Sequence, residues 1–147
     1  MRIMTKNQAL AYIREHAVPA GGKWHSNFWR ITKEMKVFKK ASDKACKPVI
    51  VNLVIPVGEV IHFPEDKYGV DFINNRKMRA SKAFVHSIHT VNYKRPGVSL
   101  RVAYSDWDDS KYLVGKNRNP EFAFSRIPRQ CESGIHFFMQ LEDALIY

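Results

Sequence analysis

Cysteine is scarce in this sequence, and long apolar runs are absent. The two cysteines, Cys46 and Cys131, form no Cys-x-x-Cys pair, which excludes a zinc ribbon. Two isolated thiols also predict free cysteines in a reducing compartment. No segment approaches the roughly 20 apolar residues of a membrane-spanning helix, and the N-terminus lacks the apolar stretch of a secretory signal. These absences predict a cytoplasmic protein with no membrane partner.

The length and composition are those of one globular domain. At 147 residues, 45% of them hydrophobic and 12% aromatic, the chain is long enough to bury a core of its own. We therefore expect a single domain over residues 1–147. Residues 36–147 form its expected core, and residues 1–35 either pack on that core or form a helical, basic N-terminal extension.

The positive charge of the chain is unevenly distributed. The formal net charge is +10, and residues 1–47 alone carry eleven Lys or Arg against three acidic residues. Residues 101–147 carry six against seven, so the last third is nearly neutral. A one-sided positive field favours nucleic acid or an acidic protein as partner.

The N-terminal segment has the pattern of a short helix. Thr5 and Gln8 have the spacing of a capping box, in which each side chain bonds to the other residue's backbone. Ala9 and Ile13 supply an apolar stripe at helical spacing, and Pro19 cannot continue the helix. A first helix is therefore predicted over residues 6–16.

The rest of the chain predicts one more early helix, several strands and a final helix. Trp24, Phe28, Ile31 and Met35 recur at intervals of three and four, which predicts a second helix in residues 23–35. Strands are predicted over residues 49–55, 59–63, 82–89, 98–104, 111–115 and 135–139, and a last helix from about Leu141. The segment 49–55 is nearly all apolar, which is typical of a central strand. The predicted fold is α+β, a twisted mixed or antiparallel β-sheet with helices near both termini.

Four segments carry a resemblance. Residues 131–138 read Cys-Glu-Ser-Gly-Ile-His-Phe-Phe and precede a short acidic segment, and residues 79–88 read Arg-Ala-Ser-Lys-Ala-Phe-Val-His-Ser-Ile. Residues 37–41 with 53–56, and residues 112–115, match less specifically. In the same order, these segments resemble an uncharacterised domain family of giant-virus and bacteriophage proteins that is often found beside pentapeptide repeats.

The resemblance covers residues 36–147 and implies a viral origin, but it implies no reaction and no ligand. Met78 stands where the family's pattern has a cysteine. A pair of cysteines cannot act together at that point, which favours a structural role for Cys131. Pentapeptide repeats are absent from the sequence.

The sequence offers weak signals for a metal or a nucleophile. His62, His86, His89 and His136 could ligate a metal, but His86 and His89 lie three apart on a predicted strand and point to opposite faces. Cys131 with His136 could form a nucleophile and base, yet free cysteine more often packs as a small buried side chain. The acidic residues around Trp107 fit a turn as well as a cation site. No metal and no cofactor is predicted.

Basic and aromatic residues alternate in the N-terminal third, with a second basic cluster in residues 76–82. This mixture suits phosphate contacts with base stacking, or an acidic protein partner. The predicted partner-binding residues are Lys23, Trp24, Trp29, Arg30, Lys33, Lys36, Lys39, Lys40, Arg76, Lys77, Arg79 and Lys82. The alternative is that the aromatic residues face the core and the lysines face solvent.

These observations leave several functions open. The leading hypothesis is a small, non-enzymatic phage or viral accessory protein that binds an acidic host protein in the host cytoplasm, with nucleic acid as the alternative partner. A second alternative is a small transferase or hydrolase with an ADP-ribosyltransferase-like pocket. Its candidate residues are Arg79, Ser81, His86, Cys131 and His136. A virion component, which predicts a homo-oligomer, is the third.

Overall fold

The computed structural model describes residues 4–64, 72, 75–91, 97–107 and 110–147. Helix α1 spans Lys6–His16 and begins at the predicted capping box: Gln8 N–H donates to the Thr5 hydroxyl, and Thr5 N–H donates to the Gln8 side chain. Helix α2 spans Leu141–Ile146. The predictions of the first and last helices are therefore confirmed. No helix among the described residues is long and apolar enough to cross a membrane.

The strands of the described residues form two sheets, and every pairing among them is antiparallel. The first sheet has the order β1 (Ala17–Pro19), β2 (Phe28–Ile31), β5 (Val60–His62), β6 (Met78–Ala80), β12 (Ile135–Phe137). The second has the order β10 (Lys111–Leu113), β9 (Val102–Tyr104), β3 (Met35–Ser42), β4 (Pro48–Ile55), β7 (Ala83–Thr90), β11 (Asn117–Arg118), and β8 (Ser99–Leu100) pairs with β7.

The fold is mostly β, and the prediction of an α+β fold is wrong. The error lies mainly in residues 23–35, where the predicted second helix is replaced by β2 and the start of β3. Trp29 and Ile31 are buried on the face toward the main core, and Phe28 is buried on the other face, where Arg30 is exposed. Because β2 carries apolar residues on both faces, it does not show a simple period of two, and its apolar residues also matched a helical spacing by chance.

The main core lies between the two sheets. Strand β4 is central in the second sheet, as predicted, and directs Val49, Val51, Leu53 and Ile55 into this core. Helix α1 adds Ala9 and Ile13, and β2 adds Trp29 and Ile31. The residues before position 36 thus share the core of the residues after it.

A β-bulge interrupts strand β7 at His86. The pairing of β7 with β4 passes from Asn52–Ser87 to Leu53–Val85, so His86 has no partner on β4. Val85 and Ile88 both point into the core as a result. A strand with regular alternation would instead put Val85 and Ile88 on opposite faces.

A backbone bridge joins the sheets. Phe38 on β3 and Phe138, just after β12, donate their N–H groups to each other's carbonyls at 2.8 Å. Helix α2 covers this junction, because Phe38 and Phe138 pack with Ile50 and Ala144 in a second apolar cluster. The two sheets therefore meet along the edge of β3.

Candidate functional site

A row of side chains crosses the first sheet on the face that points away from the main core. The strand register places Phe28 beside His62, His62 beside Arg79, and Arg79 beside His136. The irregular segment 119–134 covers part of this row. Because these four positions are neighbours on adjacent strands, replacing one side chain changes the packing of the next one.

Arg79 is the centre of the row and holds the covering segment in place. Its guanidinium donates to the backbone carbonyls of Ser125, Ile127, Arg129 and Ser133 at 2.5–3.0 Å. The rings of Phe28 and Phe124 lie 5.5 and 4.8 Å from it. Burial lowers the pKa of Arg79 to about 10, while the negative charge of Glu132 acts in the opposite direction. The cation is thus stabilised by carbonyl dipoles and aromatic faces.

Gly134 lets the chain pass close to Arg79. A Cβ atom at this position would lie 3.0 Å from Arg79 Cβ and 3.2 Å from the carbonyl oxygen of Ala80. Next to it, Ile135 pairs with Ala80 and Phe137 pairs with Met78, and both side chains enter the main core. The two segments with the most specific resemblance, 79–88 and 131–138, are therefore packed directly on each other.

The side chain of His62 is fully buried. Within the described part of the chain, neither ring nitrogen of His62 is bonded, and its ring packs 4.8 Å from that of Phe28. Burial lowers the pKa of His62 to about 3, with smaller contributions from the charges of Arg79, His136 and His25. His62 is neutral at physiological pH, and protonating it would put a cation beside Arg79.

His136 is also neutral at physiological pH, but unlike His62 it borders an open space. Burial lowers the pKa of His136 to about 4, and the nearby charges of Lys39 and Lys77 act in the same direction. Its Nε2 lies 3.2 Å from the carbonyl oxygen of Gln130, which can only accept a hydrogen bond. Nε2 therefore carries the proton, and Nδ1 is left as an acceptor.

The open space is a cleft at the edge of β3, where two neighbouring strands part. Phe38 pairs with Phe138 and Ser42 pairs with Tyr104 along this edge. Continuing both registers inward brings residue 136 and residue 106 level with Lys40. Residues 136 and 106 cannot both lie beside Lys40, so the two segments must separate at this point. Residues 135–137 pair with β6, and β9 pairs with β10.

This cleft has a volume of about 660 Å³ and a mixed lining. Its lining includes four cationic residues, Lys39, Lys40, Lys77 and Arg118, and three acidic ones, Asp106, Glu121 and Glu132. Aromatic side chains also line it: Trp107, Tyr112, Phe122, Phe138 and Tyr147. Trp107 is 78% exposed and Phe122 is 71% exposed, so both rings are available to a ligand.

Lys77 is fixed in position at one side of the cleft. Its Nζ donates to the Tyr147 hydroxyl at 3.0 Å and lies 3.8 Å from the Cys131 sulfur. The same ammonium lies 5.2 Å from the centre of the Tyr147 ring, which in turn packs on Phe138. These contacts hold a positive charge toward the cleft with little loss of side-chain freedom when a ligand binds.

The residues predicted for an enzymatic pocket lie in different places. Arg79 is buried under the covering segment, and the Ser81 hydroxyl accepts from Val60 N–H and donates to Glu59. His86 is exposed on the β7 bulge. Only Cys131 and His136 share the cleft. Among the described residues, no group of three or more His, Cys, Asp or Glu could hold a metal ion.

The residues predicted for partner binding divide into three groups. Lys39, Lys40 and Lys77 line the cleft. Four others are inside the protein or bonded within it: Trp29 and Arg79 are buried, Arg76 pairs with Asp143 at 2.7 Å, and Lys82 lies 3.6 Å from Glu59. The rest lie outside the cleft lining: Lys23, Arg30, Lys33 and Lys36 are exposed, and Trp24 packs on Phe28 and Phe124.

The sequence interpretation missed most of the aromatic side of the cleft. Trp107, Tyr112, Arg118 and Phe122 were not among the predicted site residues, although Trp107 stands in a strongly polar segment. An aromatic residue in such a segment is expected to be exposed, and that was the available signal. The convergence of residues 39, 107, 122 and 136 could not be read from spacing.

Comparison with known proteins identifies a family. The model of a family of unknown function, DUF5758, matches residues 14–144. The chain belongs to this family. The match confirms that the chain comes from an uncharacterised family, and it begins before the region covered by the resemblance. DUF5758 gives no activity, and neither the curated proteins nor the solved structures contain a significant match.

Proposed function

We propose that this DUF5758 protein binds single-stranded nucleic acid in the cleft at the edge of β3. The observation that carries the proposal is the presence of cationic side chains and exposed aromatic rings in one concave site. A cleft of about 660 Å³ lies within the usual range for ligand sites.

The chemistry of the lining fits such a ligand. Lys39, Lys40 and Lys77 can contact phosphates, and binding is favoured because condensed counter-ions are released. Trp107 and Phe122 offer ring faces on which bases stack, at about 1–3 kcal/mol per base. A duplex would bury its ring faces and gain nothing from these two residues, so the unpaired strand is the favoured form.

The alternative partner is an acidic host protein, in the phage or viral setting that the resemblance implies. A host protein would place carboxylates on the same cations. Nucleic acid is favoured over a host protein because the binding surface of the cleft is concave and because two of the aromatic residues that line it are largely exposed.

Fluorescence anisotropy of a labelled DNA strand of about ten nucleotides tests this proposal. The cleft variant, Lys39→Gln with Lys40→Gln, is compared with a control of equal charge change, Lys33→Gln with Lys36→Gln, at exposed sites outside the lining. We expect the cleft variant to lose at least about tenfold in affinity and the control less than about threefold. The four cations predict a slope of roughly −2 to −3 in log K against log salt.

Equal losses in the two double variants would show that binding follows net charge alone and would contradict the cleft as the site. If the wild-type protein binds no strand but retains one host protein at near-equal amount after nuclease treatment, the nucleic-acid proposal is overturned in favour of the host partner.

A further inference from the structure

The lining of the cleft includes hydrogen-bond acceptors on His136 and Asp106. Lys40 lies midway between Phe38, which pairs with Phe138, and Ser42, which pairs with Tyr104, so the segments that carry His136 and Asp106 approach it from the two ends of one strand edge. His136 offers Nδ1 as an acceptor, because Nε2 donates to the Gln130 carbonyl. Asp106 accepts from the Ser42 hydroxyl through Oδ1, which leaves Oδ2 for another donor. Both acceptors can therefore bind a hydrogen-bond donor of the ligand.

Trp107 places a stacked ring beside these acceptors. It follows Asp106 directly in the chain, lines the same cleft and is 78% exposed. A base stacked on Trp107 would bring its polar edge near the Asp106 carboxylate. Lys39 and Lys40, which line the same cleft, would then lie on the phosphate side of this nucleotide.

We propose that Asp106 makes the cleft selective for bases that carry an exocyclic amino group, namely cytosine, adenine and guanine, over thymine and uracil. This inference rests on the proposed binding of single-stranded nucleic acid. A carboxylate accepts well from the amino group of cytosine, whereas thymine presents the acceptor O4 at the corresponding position, and its N3–H donor lies between two carbonyl oxygens that repel a carboxylate.

The test compares ten-nucleotide oligo(dC), oligo(dA) and oligo(dT) by fluorescence anisotropy at fixed salt. The wild-type protein should bind oligo(dC) and oligo(dA) at least about fivefold more tightly than oligo(dT). Asp106→Asn should reduce this ratio to within about twofold, mainly by improving the binding of oligo(dT), because the amide can donate to O4. The control is Glu34→Gln, which removes a carboxylate at an exposed site outside the lining and should keep the wild-type ratio.

Each result has a separate meaning. Equal affinities for the three strands in the wild-type protein would overturn the selectivity and leave the binding proposal intact. An unchanged ratio in Asp106→Asn would overturn the role of Asp106 in any selectivity that exists. If no strand binds, the proposed function itself fails, and the inference fails with it. The circular dichroism spectrum and unfolding midpoint of each variant confirm that it is folded.

Discussion

At the level of single residues, Arg79 explains why two segments that are distant in the sequence pack on each other. Its side chain holds four carbonyl groups of residues 125–133, and Gly134 lets the following strand pass its stem. Parts of the covering segment 119–134, namely residues 120–122 and 131–134, line the cleft. Arg79 is therefore a positioning residue: its contacts with the protein shape the cleft.

Replacing Arg79 by lysine should destabilise the protein strongly although it keeps the charge. Lysine cannot present the planar fork of donors, so several buried carbonyls would lose their partners. We expect the free energy of unfolding to fall by roughly 3 kcal/mol, measured by urea denaturation. Arg126→Lys, at an exposed site, is the matched control and should change it by less than about 0.5 kcal/mol. Equal effects of the two changes would contradict the role given to Arg79.

His62 predicts that acid destabilises the fold. Its pKa is about 3 in the folded protein and lies near 6.5 when exposed, so the unfolded chain takes up the proton first. Stability is therefore complete above pH 6.5 and is lost as the pH falls toward 3. His136, with a folded pKa of about 4, acts in the same direction.

The variant His62→Leu should flatten this dependence. Leucine has a similar volume and does not titrate, and its introduction also removes two unpaired buried nitrogens. Between pH 7 and 4.5, urea denaturation should show the wild-type protein losing roughly 2 kcal/mol more than the variant. Parallel pH profiles for the two proteins would show that His62 is not buried as described.

At the level of elements, the long strands β4 and β7 and the short strands β5, β10 and β12 were predicted, whereas β2 and β6 were not. Residues 49–55 and 82–89 carry enough β-branched and apolar residues to identify β4 and β7. Strands β2 and β6 have four and three residues, and all three residues of β6, including Arg79, are buried. Their identity depends on partners far along the chain, which spacing within a short window does not contain.

The bulge in β7 gives a prediction about deletions. Removing His86 would let Ser87 follow Val85, which keeps Ala83, Val85 and Ile88 facing the core in regular alternation. We expect this deletion to change the unfolding free energy by less than about 1.5 kcal/mol.

Deleting Phe84 is the control for this prediction. It lies outside the bulge, and its loss would shift one end of β7 by one position and turn side chains away from the core. The expected loss exceeds about 3 kcal/mol, measured in the same denaturation experiment. If deleting His86 were as damaging as deleting Phe84, the assignment of the bulge would be wrong.

At the level of the whole molecule, the charge of the sequence pointed to an anionic partner, but the location of the site came from the fold. The cleft brings together three residues of the predicted basic set, at positions 39, 40 and 77, and aromatic residues at positions 107 to 147. It exists because β3 shares one edge with two strands that diverge. Such a meeting of distant segments is a property of sheet topology, which the sequence interpretation did not reach.

Hydrogen–deuterium exchange with and without a mixed-sequence DNA strand tests the central claim most directly. Binding in the cleft predicts slower exchange in peptides that cover residues 36–42 and 130–138, with little change over residues 23–33. Protection over residues 23–33 alone would place the ligand on the exposed N-terminal lysines instead. Such a result would contradict the cleft as the binding site.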